Sequence, residues 1–186
     1  IEDPYRFATT LGDLDLHLLR EGSHQHIYAT LGARRLRVAG VDGTRFAVWA
    51  PNASRVSVIA DFNDWDGRCH VMRLHHGNGL WELFIPGIRS GAKYKFELLD
   101  AAGNLLPYKT DPVASFSEPP PGNASVVYQS RYRWRDAAWM REQREAIRLD
   151  QPVSIYEVHL GSWRRNPLEQ HRSLTYRELA DELVAY

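Results

Sequence analysis

Trp65 stands in the run Asp61-Phe62-Asn63-Asp64-Trp65-Asp66, a large aromatic ring set among carboxylates and an amide. That mixture suits a neutral, hydroxyl-rich ligand. The flat ring covers the apolar face of a sugar, and the polar side chains reach its hydroxyls. The same ring could instead close one end of a β-sheet packing, and the residues alone leave both readings open. Glu157 and His159 share one face of the otherwise apolar stretch Val153–Leu160, where each needs a polar partner. Glycosidic bond chemistry takes two carboxyl groups acting together. Glu157 has no counterpart in the chain, so it reads as a structural hydrogen-bonding group, and no catalytic residue is assigned. His24 and His26 lie two apart without cysteine or acidic companions, and with His75 and His76 they read as loop residues. The single cysteine, Cys69, can form neither an intramolecular disulfide nor a cysteine-based zinc site. No metal or cofactor is implied.

Bulk composition narrows the partners. Lys+Arg and Asp+Glu both number 23, so net charge is zero with histidine neutral. Nothing in that balance draws the chain to nucleic acid or to an anionic membrane surface; a neutral polymer fits better. With 44% apolar and 25% charged residues over 186 positions, the chain can bury a core as one domain or as a small domain plus part of another. A lone cysteine and no apolar run of spanning length favour a cytoplasmic setting. Ile1-Glu2-Asp3-Pro4 does not read as the start of a signal peptide.

The candidate residues need elements to position them. Phe46–Ala50 and Val56–Ala60 alternate, with Phe46, Val48 and Ala50 on one face and Val56, Val58 and Ala60 on another. They flank Pro51-Asn52-Ala53-Ser54 and are expected to form a hairpin that delivers the Trp65 loop. Leu80–Ile85 reads as a strand ended by Pro86-Gly87, its Trp81 serving core packing or domain contact, as Trp49 would on its own strand. Lys93–Leu98 alternates cleanly: Tyr94, Phe96 and Leu98 inward, Lys93, Lys95 and Glu97 outward. Ser125–Tyr128 supplies a last strand. Short strands separated by Gly/Pro turns make residues 40–130 a β-sandwich, preceded by an irregular lead at 1–39. In that lead, Leu14, Leu16 and Leu18 fit either a short strand or a brief helix.

Beyond residue 130 the pattern changes. Asp136–Arg148 is rich in helix formers and is stopped by Gln151-Pro152, which makes 131–152 a linker helix. Val153–Leu160 then has the composition of a strand buried on both faces. Thr175 and Glu178 have capping-box spacing before a helix with the stripe Tyr176, Leu179, Ala180, Leu183, and Leu174 with Leu179 can staple its start. One β-α unit cannot cover its own apolar faces. Residues 153–186 are therefore expected to be the first strand and helix of a truncated (β/α) barrel.

The stretches GVDGTRFAVWAPNASRVSVIADFNDWDGR, GLWELFIPGI, YKFELLDAAGN, PVSIYEVHLGSWRR and SLTYRELADELVAY, in this order, closely resemble bacterial 1,4-α-glucan (glycogen) branching enzymes. The resemblance covers nearly the whole chain, including DPYRF and LGDLDLHLLREG. It implies an immunoglobulin-like β-sandwich, a family forty-eight carbohydrate-binding module, joined to the start of an α-amylase-type barrel. The implied partners are an α-glucan (glycogen or a linear maltooligosaccharide) and the remainder of that barrel. It also implies that Lys95, in its YKF context, and Asn123 contact sugar hydroxyls; on the residues alone they read as a solvated lysine and a turn asparagine. Leu105 or Leu106 stands where related modules carry a second stacking tryptophan. Ala60 replaces the usual glycine before DFN, and Val71 the usual proline. The alternative is a self-standing glycogen- or starch-binding module. A debranching or trehalose-releasing hydrolase is disfavoured by YEVHLGSWRR and YRELADEL.

Overall fold

Period-two alternation of apolar side chains builds the larger part of the molecule. The computed structural model describes residues 2–146, 150 and 152–186, and the chain divides into two units, Ile1–Tyr132 and Arg133–Tyr186. In the first unit, β1 (Gly32–Val38), β2 (Val41–Trp49), β4 (Arg73–His75) and β5 (Leu80–Pro86) form an antiparallel sheet in the order β1-β2-β5-β4. A second sheet runs β3-β6-β7, from β3 (Arg55–Ala60), β6 (Lys93–Leu99) and β7 (Ser125–Val126). Between them, Phe46, Val48, Trp81, Leu83 and Ile85 of the first sheet pack on Val56, Val58, Ala60, Tyr94 and Phe96 of the second. Phe46 meets Tyr94 edge to face at 5.0 Å. The chain is mainly β, and its first unit is a sandwich whose two sheets share this core.

The expected hairpin between Phe46–Ala50 and Val56–Ala60 does not form, because β2 and β3 lie in different sheets. The Ala50 N–H donates to Gly79 O, whereas the Ser54 N–H donates to Leu99 O, so Pro51–Ser54 carries the chain across the sandwich. The physical reason is burial. Both runs present fully apolar inner faces, and facing each other they bury more than they would side by side.

The lead is more ordered than expected, and the sheet begins before residue 40. β1 pairs with β2 from Gly32↔Ala47 to Val38↔Val41. Leu14, Leu16 and Leu18 lie in helix α1 (Asp13–Glu21), which ends on left-handed Gly22 at φ 75°. Leu16 and Leu19 of α1 pack on Leu11, Leu31, Ala47 and Leu80, a smaller cluster on the outside of the first sheet. His24 is no exposed loop residue: only 7% of its side chain is exposed, and Nε2 lies 2.9 Å from Asp15 Oδ1 and 3.0 Å from Thr30 Oγ1 of helix α2 (Ile27–Thr30). His75, also expected in a loop, lies in β4 with Nε2 2.8 Å from the buried Glu82 carboxylate. Glu82 further accepts from the Thr10 N–H (2.6 Å) and hydroxyl (2.8 Å), and Arg73 donates to the carbonyls of Tyr5 and Phe7. Polar groups that burial would otherwise strand thereby clamp the lead to the sheet.

In the second unit, helix α3 (Ala137–Ala146) occupies the expected linker; the helix end foreseen at Arg148 and the stop at Gln151 lie outside the described residues. Val153–Leu160 is not the expected strand. Residues 153–159 have no regular structure, Val153 and Ile155 are 75% and 87% exposed, and Leu160–Trp163 turns into the short helix α4. Strand backbone needs a paired neighbour for its N–H and C=O groups. Among the described residues, none pairs with this stretch in a ladder. A two-strand ladder, β8 (Arg165–Asn166) with β9 (Arg172–Ser173), precedes helix α5 (Tyr176–Ala185). The capping box at α5 is formed as its spacing predicts: the Thr175 N–H donates to Glu178 Oε2 (2.7 Å), and the Glu178 N–H donates to Thr175 Oγ1 (3.4 Å). Of its apolar stripe, Leu179 is buried and Tyr176 is 80% exposed.

Candidate functional site

Loop Asp61–Asp66 leaves the C-terminal end of β3 and is tied down by Asn63 rather than displayed by it. Asn63 is buried; its Oδ1 accepts from the Ala60 N–H at 2.8 Å and its Nδ2 donates to Val58 O at 2.9 Å. The same Nδ2 lies 2.8 Å from His70 Nδ1. Burial pushes the His70 pKa down and so favours the neutral ring, whose Nδ1 accepts from Asn63 in the tautomer protonated at Nε2. Held this way, Asp64 and Trp65 both adopt left-handed backbone, φ 53° and 58°, with the Trp65 N–H donating to Ala60 O at 3.0 Å. A bulky residue in that region is uncommon and persists only where its surroundings fix it. Trp65 is half-buried. Asn63, which the sequence placed among the hydroxyl-reaching groups, is instead the internal pin.

Past Trp65 the loop lies directly on the outer face of the β3-β6-β7 sheet. A Cβ at Gly67 would sit 2.0 Å from Glu97 Oε1, so glycine lets the loop lie against that carboxylate where it stands. Glu97 occupies the outward register expected for it, yet the covering loop and its ion pair with Arg55 leave it buried. Two residues along, on the same face, Lys95 Nζ donates to Asn123 Oδ1 at 2.5 Å. The two residues that the resemblance singled out are thus brought together from 28 positions apart. Asn123 is exposed and Lys95 half-buried, so the Asn123 amide N–H groups and the remaining ammonium protons face outward as donors.

The sequence reading missed the strip that joins the loop to this pair. Asp61 Oδ2 accepts from the Lys93 N–H at 3.1 Å, Lys93 Nζ pairs with Glu118 at 2.6 Å, and Glu118 Oε2 accepts from the Ala124 N–H at 3.0 Å. The Lys93 ammonium lowers the Glu118 pKa, and Glu118 raises that of Lys93. Beside the loop tip, Arg68 holds the Asp66 carboxyl down to about 2. Lys93, Glu118, Asp66 and Arg68 are charged near neutrality. No local pattern pairs Lys93 with Glu118; the β6–β7 register, together with the pairing of Ser117 and Glu118 to Ser125 and Ala124, does so.

Elsewhere, Trp49 is 62% exposed and so does not serve the sandwich core. Its Nε1–H donates to Asn78 O at 3.1 Å, and its ring borders a cavity of about 440 Å3 lined by Leu19, Ile27, Leu31 and Val113, among others. Trp81, in contrast, is buried and donates to Ala50 O. Leu105, more than half exposed, and Leu106 run beside β6, with the Leu106 N–H bonded to Leu98 O. Glu157 is exposed within the stretch that lacks regular structure. Among the described residues, no group of three His, Cys, Asp or Glu side chains is placed to hold a metal ion, and no helix is long and apolar enough to cross a membrane.

Comparison with known proteins finds relatives for the sandwich and for the chain as a whole. Residues 30–114 match carbohydrate-binding module 48 (isoamylase N-terminal domain), a span that starts just ahead of β1 and includes both Trp65 and Lys95. Over its full length the chain is 55% identical to a 1,4-alpha-glucan branching enzyme of Paramagnetospirillum magneticum, covering 25% of that protein. It is 54% and 56% identical to those of Roseobacter denitrificans and Rubrobacter xylanophilus, covering 26% and 25% of them. Among solved structures, apo pullulanase from Klebsiella pneumoniae is similar at 24% identity and a TM-score of 0.42, over 53% of this chain and 11% of that one. The chain therefore spans about a quarter of the length of the curated relatives it matches. Residues 30–114 are thus similar to carbohydrate-binding module 48, and the whole chain is similar to about a quarter of each of these 1,4-alpha-glucan branching enzymes.

Proposed function

We propose that this chain is the glucan-recognising portion of a cytoplasmic 1,4-α-glucan branching enzyme, and that the outer face of the β3-β6-β7 sheet is where it meets the polymer. In this reading Trp65 covers the apolar face of one glucosyl unit, while Lys95 and Asn123 donate to its hydroxyl oxygens. The observation that carries the reading is the 54–56% identity to branching enzymes along the whole chain. The pairing of Lys95 with Asn123 on the sheet that holds the Trp65 loop supports the choice of face.

The reaction of the longer protein would be a retaining transfer within the glucan. An aspartate attacks the anomeric carbon of an α-1,4 bond while a glutamic acid protonates the departing oxygen, giving a covalent glycosyl-enzyme. A 6-hydroxyl of a glucan chain then displaces the enzyme carboxylate, forming an α-1,6 branch in place of hydrolysis. These carboxyl groups belong at the C-terminal ends of barrel strands, and none is assigned here. The role proposed for this portion is to hold glucan near the rest of its own barrel and to dock against that barrel.

Affinity electrophoresis through glycogen-containing gels tests the reading. The 186-residue chain should be retarded, Trp65→Ala and Lys95→Ala should run ahead of it, and none should raise the branch content of amylose. Equal mobility with and without glycogen would count against the binding face; branch formation by the chain alone would overturn the division of labour. A self-standing module predicts the same retardation, but no gain in branching when the coding sequence on either side is restored.

A further inference from the structure

Across β7 from Lys93 and Lys95, two aromatic rings stand on the same outer face. In β7 the inward positions are Ser125 and, just beyond it, Val127 of the core, so Val126 and Tyr128 point outward. Val126 is paired with Lys93, and the Val126 N–H donates to Phe116 O, with Ser117 bridged to Ser125. The segment around Phe116 is therefore a further edge of this sheet. Phe116 and Tyr128 stack with ring centroids 5.4 Å apart and planes 28° from parallel, and they are 51% and 43% exposed. Each ring spends one face on the other and leaves flat apolar surface open. Side by side with them run the Lys93–Glu118 pair and Asn123, groups that can bond hydroxyls.

We infer that Phe116 and Tyr128 form a second aromatic contact for the α-glucan chain held at Trp65, Lys95 and Asn123. This rests on the reading of that face as the glucan site and extends it from a single-sugar contact to a track. Two strand spacings, about 10 Å, separate β6 from the Phe116 edge, and the β3 strand that launches the Trp65 loop lies one spacing further. Only an oligosaccharide bridges that distance. The site therefore selects for chain length: a short oligomer engages one end, while a longer one reaches both aromatic groups across the polar strip. A neutral glucan suits a strip whose charges are already paired internally. A charged ligand would have to compete with Lys93 and Glu118 for each other.

Calorimetric titration of the 186-residue chain with maltotriose and with maltoheptaose tests this. Phe116→Leu and Tyr128→Leu keep apolar bulk at the sheet edge but remove the flat faces, and melting curves check that the fold is kept. Each should weaken maltoheptaose binding about five-fold while maltotriose binding stays unchanged, and Tyr128→Phe should bind like the parent. Leu variants that bind maltoheptaose as the parent does, while Trp65→Ala does not, would overturn this inference and leave the glucan face standing. A parent chain that binds neither oligosaccharide would overturn both.

Discussion

Asn63 does more for the Trp65 loop than any residue that faces solvent. Its amide satisfies the Ala60 N–H and the Val58 carbonyl and meets His70, all within buried surroundings. Removing it leaves those backbone groups without partners, so Asn63→Ala should cost about 1–3 kcal/mol in urea unfolding. The loss should be accompanied by weaker glucan retention, because the loop geometry goes with it. His70 gives the same contact a pH dependence. Burial lowers its pKa from the ordinary 6.5, so the folded state takes up a proton less readily than the unfolded chain does. The stability tied to neutral His70 is present above about pH 6.5 and is lost as pH falls toward the lowered folded value. Melting temperatures of the parent should therefore drop more steeply from pH 7 to pH 5 than those of His70→Gln, which cannot titrate; parallel curves would refute the role of His70. The sequence showed DFNDWD as polar and aromatic but not which members turn inward. That choice depends on the end of β3 lying beneath the loop, a tertiary fact.

Among the elements, α5 shows a local signal that carried through and Val153–Leu160 one that did not. The capping box at Thr175 and Glu178 needs only residues three apart, so it is legible in sequence and forms as spaced. Arg172 and Thr175 hold Glu178 down to about 2, below its ordinary 4.5. A depressed carboxylate contributes stability above its unfolded pKa and loses it as pH falls through the folded one. The α5 amide signals should thus be those of a formed helix above pH 4.5 and fray as pH approaches 2, and Glu178→Gln should remove that transition. Val153–Leu160, by contrast, reads as a strand by composition, and composition does not supply a partner. The same distinction explains Phe46–Ala50 and Val56–Ala60. Their alternation located both strands and their buried faces, but two adjacent strands with a five-residue connection can pair or can face each other. Which occurs is decided by the rest of the core.

At the scale of the molecule, the sandwich turns a set of distant residues into one surface. Lys95 and Asn123, Lys93 and Glu118, and Phe116 and Tyr128 meet only because β6, β7 and the edge beyond them lie in register. The sequence yielded Trp65, Lys95 and Asn123, the last two through family resemblance. It could not yield Lys93–Glu118 or Phe116–Tyr128, whose meaning lies in pairing. The central claim is that this one face binds α-glucan. Titrating the isotopically labelled chain with maltoheptaose and following every backbone amide tests it most directly. Binding at this face should perturb residues 61–66, Lys93, Lys95, Phe116, Asn123 and Tyr128 and leave the other amides unmoved. Perturbations gathered instead around Trp49 and its cavity, or none at saturating sugar, would contradict it.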